Sequence, residues 1–434
     1  MPNNTIKKLY FRISNPQKEM GYLREINLQN IGLVVNAHTA IDNPKIIEFI
    51  RRNEINFIID PVTYVFSRSL RKLRKNQTEF TIRRTWDKLL NLYGNDFRDL
   101  VKSKVINERD LIPRDFLRNN KWDSVLIDNF VSSVIESQKT FIKDKLVMLK
   151  ELQKRAGFDI PTKDLTPDFL IAPYFYSSKI PDDWFNLTVA MIHSAIKFKG
   201  NFNLYGVLCI SNKILNDINL DLVINSYRKL DGILIWISDF KEHKIPGTQL
   251  AKLVEVISKL RKEKFKIINF YGGYFSLMLT NNFLDSFVCG VNYGESRNID
   301  TTPARGMRKM VYINTIHKHL IVEHAPRIWL SDSSHLCNCK TCVNLCNESS
   351  NFNAYNYSES MQKSEINRVQ HFLNTRINEL ENIKSKNLEE ITFLLADDIK
   401  KSTNIPSDQV IHLRNWKKVI ELISIKNNNR VFHN

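Results

Sequence analysis

Apolar residues along this chain fall into short unbroken runs, separated by longer stretches with amphipathic spacing. Runs at residues 31–36, 56–66, 169–176, 204–211, 232–240, 266–271 and 283–291 are rich in Ile, Val, Phe and Tyr and do not alternate with polar residues. Alternation marks a strand with one wet face. A continuous run marks a strand buried on both faces, as in parallel sheets covered by helices. Between the runs, residues 187–198, 220–230 and 248–262 space their apolar side chains as a helix with one buried face does. Seven such strands alternating with helices predict an α/β fold, and favour a (β/α)8 TIM-type barrel over an open doubly wound sheet. No GxGxxG follows the first run, which argues against dinucleotide binding.

Two segments break the rhythm. Residues 67–166 read as a mostly helical insertion after the second predicted strand. The insertion opens on the basic run Arg68-Ser69-Leu70-Arg71-Lys72-Leu73-Arg74-Lys75 and ends on a long periodic helix near residues 122–156. From about Gly306 a strand-like stretch precedes a cysteine cluster and further helices. The predicted organisation is therefore 1–66 for the first barrel strands, 67–166 for the insertion and 167–305 for the rest of the barrel, then 306–385 for a zinc-binding subdomain and 386–434 for a C-terminal helical extension. The Asn-rich residues 344–357 read as a loop and 426–434 as a frayed tail, and no repeat recurs at solenoid periods.

With 43% apolar residues, 434 residues can bury a large core. Lys plus Arg number 63 against 46 Asp plus Glu, a net charge of +17. A balance this basic points to nucleic acid as a partner, because phosphates attract a positive surface and release counterions on binding. Part of the excess also reflects a chain generally rich in Lys and Asn. No apolar run approaches the ~18 residues of a membrane span, and Met1–Lys8 carries no signal-peptide stretch, so a cytoplasmic protein without membrane contact is predicted.

Six cysteines stand at Cys209, Cys289, Cys337, Cys339, Cys342 and Cys346, the last four within ten residues. In a reducing compartment such clustering favours a metal over disulfides. Cys337-Asn338-Cys339-Lys340-Thr341-Cys342 offers three thiolates, and zinc takes four soft or borderline ligands in a tetrahedron with sulfur at roughly 2.3 Å. His371, on the amphipathic stretch 364–373, can supply the fourth; Cys346 and His335 compete with it. Four protein ligands leave no open position, so the zinc is predicted to be structural.

A barrel followed by CxCxxC and a helix-borne His resembles the tRNA-guanine transglycosylase superfamily, which includes DNA-modifying 7-deazaguanine transglycosylases. Leu33-Val34-Val35-Asn36-Ala37-His38-Thr39 is similar to the family's first strand. Ile58-Ile59-Asp60-Pro61-Val62-Thr63-Tyr64-Val65-Phe66-Ser67 is similar to its second, with Asp60 on the base-contacting aspartate. His371-Phe372-Leu373-Asn374 matches the zinc-ligating His of the late helix. The resemblance implies base exchange. An aspartate attacks the anomeric carbon of a guanosine that has left its stack, guanine departs from a covalent intermediate, and a 7-deazaguanine replaces it. It also implies a tRNA or DNA partner, and a homodimer or partner subunit.

The chain departs from that family at its centre. In Phe283-Leu284-Asp285-Ser286-Phe287-Val288-Cys289, Val288 falls where the nucleophilic Asp belongs, and Asp285, three residues earlier, points to the other face of a strand. Ser211-Asn212-Lys213 replaces the Gly-Gly base-recognition loop, and Ala172-Pro173-Tyr174 replaces an acidic residue. Asp60, Asp239 and Glu295 remain as candidate catalytic carboxylates, because they fall near C-terminal strand ends, where barrel active sites lie. Tyr64, Tyr174, Asn212, Tyr293 and Arg297 are the candidate substrate-binding residues, with Tyr176 and Tyr271 completing an aromatic mouth able to stack bases.

Plainer roles compete with these. The tyrosines can be packing residues, Asp239 a turn or cap, Glu295 a surface partner of Arg297, and Gly272-Gly273 a tight turn. Arg305, Arg308, Lys309, His317, Lys318 and His319 join the run 68–75 as candidate phosphate contacts. The sequence supports a transglycosylase-like protein with a rearranged site. The alternatives are an inactive homologue that binds nucleic acid or a partner, and hydrolysis of the glycosidic bond.

Overall fold

Leu9-Tyr10-Phe11-Arg12-Ile13 forms a strand that the apolar runs do not predict, because Arg12 interrupts a five-residue segment. It is wholly buried, arginine included. The computed structural model describes residues 7–43, 45–75, 81–155, 166–292, 294–299, 308–347 and 354–431, with the backbone alone at 141–155, 333, 346–347 and 426–431.

The strands in chain order are β1 (Leu9–Ile13), β2 (Ile31–Asn36), β3 (Asn56–Asp60), β4 (Leu117–Arg118), β5 (Lys121–Trp122), β6 (Leu170–Ile171), β7 (Leu204–Ser211), β8 (Gly232–Ser238), β9 (Lys266–Asn269), β10 (Ser286–Gly290), β11 (Met310–Ile313) and β12 (Lys318–Ile321). Eight of them form one sheet in the order β3-β2-β1-β10-β9-β8-β7-β6, parallel at every pairing. The sheet curls until its edges meet. Asp168 N–H donates to Phe57 O at 2.9 Å, and Thr63 Oγ1 accepts from Tyr174 N–H and donates to Tyr174 O, both at 2.8 Å. The result is an α/β fold with a nearly closed parallel barrel. Because β1 precedes the predicted first strand, the helical insertion follows the third strand, not the second.

Two predicted strands overshoot for a shared reason. The run 56–66 stops pairing at Asp60, and the run 169–176 pairs only through Leu170–Ile171 before a lone bridge at Ser177. Pro61 and Pro173 lack the N–H that a central strand must donate. After Pro61 the chain turns through Val62, at φ 50°, into a 3-10 helix at Thr63–Ser67. Helices Asp183–Phe198, Leu220–Tyr227 and Gly247–Lys262 cover the sheet where the periodicity places them.

The insertion holds helices Arg84–Leu92, Asn95–Ile106 and Ser124–Arg155, and the β4–β5 hairpin. It docks beside β3 through buried aromatics: Phe66 against Phe97 at 5.1 Å and Phe97 against Phe130 at 4.1 Å. At the C-terminal end, helices Lys340–Asn347 and Ala354–Lys363 occupy most of the stretch predicted as an Asn-rich loop. Helix Ser407–Val431 likewise runs through most of the predicted tail. It returns to the barrel, where Trp416 Nε1–H donates to Glu242 O at 3.2 Å. Among the described residues no helix is long and apolar enough to cross a membrane.

Candidate metal centre and strand-end cluster

Cys337 and Cys339 precede the helix that begins at Lys340, and Cys342 lies in its first turn, so one turn of chain gathers three sulfurs. His371 comes from helix Glu365–Ile383, which Ser364 caps by accepting from Asn367 N–H at 3.3 Å. All four ligand atoms lie within 4.8 Å of one another, and all four residues are buried. His371 Nδ1 is 3.5 Å from Cys339 Sγ and 3.3 Å from Cys342 Sγ, and those two sulfurs are 3.5 Å apart. A tetrahedral ion with bonds of ~2.3 Å gives ligand separations only slightly longer, about 3.7 Å. His371 Nε2 lies 2.9 Å from Tyr312 O, so donation to that carbonyl leaves Nδ1 free to face the sulfurs. The cluster can bind a metal ion with protein ligands alone. His335 is not part of it: its Nδ1 pairs with Thr315 Oγ1 at 2.9 Å. The Cys346 side chain lies outside the described residues.

At the C-terminal ends of the strands, the structure gathers Asp60, Tyr64, Tyr174, Tyr271 and Arg297 with residues that the sequence did not single out: Arg12, Trp236 and Asn36 as a side-chain partner. Asp60 is 0% exposed. Its Oδ2 accepts from Arg12 Nη1 at 2.6 Å, and its Oδ1 accepts from the Tyr174 hydroxyl at 2.8 Å and Val62 N–H at 2.9 Å. Arg12 Nη1 also donates to Asn36 Oδ1 at 2.8 Å. The arginine stacks over Phe270 and Tyr271, at 4.2 and 4.6 Å from the ring centres. Trp236 meets Tyr64 edge-on at 4.6 Å and lies 5.0 Å from Tyr271. These aromatic rings are buried packing partners, not an open stacking platform.

Arg297 reaches over this floor from above. It lies 5.4 Å from the Tyr64 ring, and its Nη1 donates to the Tyr271 hydroxyl at 3.1 Å. Its carbonyl accepts from Trp236 Nε1–H at 3.2 Å and Asp239 N–H at 3.1 Å. Asp239 is exposed on a turn at φ 58°, and Asn212 starts a short 3-10 helix after β7. Tyr176 lies at the rim, its ring 5.4 Å from the Arg68 guanidinium. Tyr293 lies outside the described residues. Val288 is wholly buried in β10. Asp285 sits at the opposite strand end, where Oδ2 accepts from Ile267 N–H at 2.8 Å and Arg261 Nη1 at 3.3 Å.

Glu295 turns away from Arg297 and pairs instead with the buried Arg376 of the His371 helix. Burial, partly opposed by Arg376 and reinforced by Glu242, pushes its carboxyl up to about 7. Burial also raises the Glu242 carboxyl, against hydrogen bonds from Ser276 and from Gly273 N–H at 3.0 Å. Gly273 is a close approach as well as a turn, since a Cβ there would lie 3.0 Å from Glu242 Oε2 and 3.2 Å from Glu295 Cδ. Beyond Arg376, Glu379 accepts from Tyr312 and pairs with His317 at 2.8 Å, and His317 reaches Asp398 at 3.0 Å. This network joins the strand ends to the C-terminal helices. Spacing along the sequence could not reveal it, because Glu295 and Arg376 are 81 residues apart.

The candidate phosphate contacts divide. Arg71, Lys72, Lys75, Arg308 and Lys309 are exposed, but Arg74, His317 and Lys318 are buried with protein partners. Arg305 lies outside the described residues, and His319 packs on Phe372 at 4.7 Å. No family model matches the chain, and no curated protein matches it.

Proposed function

We propose that this protein is a zinc-stapled (β/α)8 barrel of the transglycosylase type that binds nucleic acid without exchanging bases. The observation that carries this reading is the state of Asp60. Both of its oxygens are engaged by Arg12, Tyr174 and Val62, and none of the residue is exposed. A carboxylate so held is unavailable to a substrate base or an anomeric carbon, and Val288 supplies no replacement. Three thiolates and an imidazole suit zinc, a closed ligand set suits a structural role, and cysteines gathered for a metal suit a reducing, cytoplasmic setting. The net charge of +17 and the exposed cations of the insertion favour tRNA or DNA as the partner.

One observation favours retained catalysis. Glu295 has its carboxyl raised to about 7, near the value of a useful general acid, although Arg376 occupies it. Trapping separates the two readings. The full chain is incubated with tRNA and with duplex DNA, with and without a 7-deazaguanine, then assayed for a denaturation-resistant adduct and for released guanine. The binding reading expects salt-sensitive association with neither product. An adduct, or base release lost in Glu295→Gln, establishes the catalytic one.

A further inference from the structure

We propose that the strand-end cluster is a binding site for a small oxyanion, a phosphate ester or a carboxylate, held between Arg12 and Arg297. Two guanidiniums, Arg12 wholly buried and Arg297 half-buried, lie near a single buried carboxylate, Asp60. His38, just after β2, adds no further positive charge: burial, with Arg297 near it, lowers its imidazole to about 4. Asp42 is turned outward to Lys88 at 2.9 Å, and Asp239 is exposed. The described side chains of the cluster therefore hold one positive charge in excess.

Unmet hydrogen-bonding capacity agrees with this. Arg12 is 2% exposed, and its Nε and Nη2 find no partner among the described residues. The Tyr64 hydroxyl, also buried, finds none. The aromatic faces under each guanidinium offset part of the charge but accept no N–H in its plane. Buried polar groups are normally satisfied, so orphaned donors grouped on one side of a cation point to an acceptor brought from outside. The forked donor geometry of guanidinium matches carboxylate and phosphate oxygens, and Tyr64 supplies a neutral third donor. The half-buried Arg297 lies on the solvent side, so the anion reaches it first. The inference rests on this cluster alone, not on the exterior binding nucleic acid.

Calorimetric titration of the full chain tests it, with inorganic phosphate, guanosine 5′-monophosphate and benzoate as probes and guanosine as the uncharged control. Saturable one-to-one binding of at least one anion is expected, and the phosphate and benzoate arms separate the two oxyanion classes. Arg297→Ala should abolish the signal, and Tyr64→Phe should weaken it about tenfold, the loss of one hydrogen bond to a charged group. Both variants leave the Arg12–Asp60 pair intact, and circular dichroism checks that each folds. The proposal is overturned if no anion binds at millimolar concentration, if guanosine binds as well as its monophosphate, or if folded Arg297→Ala binds like the native chain.

Discussion

Arg12 on β1 and Asp60 at the end of β3 meet at 2.6 Å across the intervening strand, 48 residues apart in the chain and both buried. A buried pair costs a large desolvation penalty, so what matters is the effect of losing one member. Asp60→Ala leaves Arg12 buried without a counter-ion and should destabilise the fold by about 3–5 kcal/mol. The double change Arg12→Met with Asp60→Leu should recover most of that loss. Denaturant midpoints for Arg12→Met, Asp60→Leu and the double variant give the coupling. Independent, additive effects would show that the pair does not hold the strand ends together.

Two glycines face tyrosines in register on neighbouring strands. Gly32 pairs with Tyr10, and Gly232 with Tyr205. A Cβ at Gly32 would lie 2.3 Å from the Tyr10 ring, and one at Gly232 would lie 2.1 Å from the Tyr205 ring. Rings wedged in a closed core cannot swing away as a long flexible side chain can. Gly32→Ala and Gly232→Ala should each cost roughly 1–3 kcal/mol in urea denaturation, the usual scale of overpacking. Gly200→Ala meets no neighbour and serves as a comparison for backbone strain alone, its φ being 61°.

His317 stacks on Tyr274 at 3.4 Å between Glu379 and Asp398. Burial would lower its pKa, but the hydrogen bonds to Asp398 and Glu379 outweigh burial and raise it to about 9. The folded state therefore binds this proton more tightly than the unfolded chain, where His titrates near ~6.5. The stabilisation is complete below about 6.5 and is lost as pH rises through about 9. Melting temperature should fall across that window, and the fall should be shallower in His317→Gln. Parallel curves for the two proteins would contradict the assignment.

Of the basic run, Arg71 and Lys72 are exposed, whereas Arg74 is buried and bonded to Val105 O at 2.7 Å. Arg71→Glu with Lys72→Glu should reduce the slope of log affinity for nucleic acid against log salt by about two. Lys318→Ala, which removes a buried contact to Gln409 O, should lower stability and leave that slope unchanged.

How much of this was legible in sequence depends on whether the signal is local. The strands β7 and β8 read correctly because Leu204–Ser211 and Gly232–Ser238 are unbroken apolar runs. The thiolates and His371 read correctly because ligand type and helix periodicity sit within a few dozen residues. The strand β1 was missed because the feature that makes it important, a buried arginine, is the feature that breaks its apolar run. The pairing of Glu295 with Arg376 is not legible in the sequence, where Glu295 reads as a catalytic carboxylate or a surface partner of Arg297, because only the closed fold brings the His371 helix to the strand ends. Lys318 and Arg74 looked like surface charge because composition does not distinguish a solvated cation from one bonded to a carbonyl.

Metal content tests the architecture most directly. Elemental analysis of the purified full chain should find one zinc per molecule, and Cys339→Ser or His371→Ala should lose it together with several degrees of melting temperature. Chelation of the native protein should reproduce the shift. A metal-free chain whose melting is unchanged by either substitution would contradict the account and remove the ground for the transglycosylase resemblance.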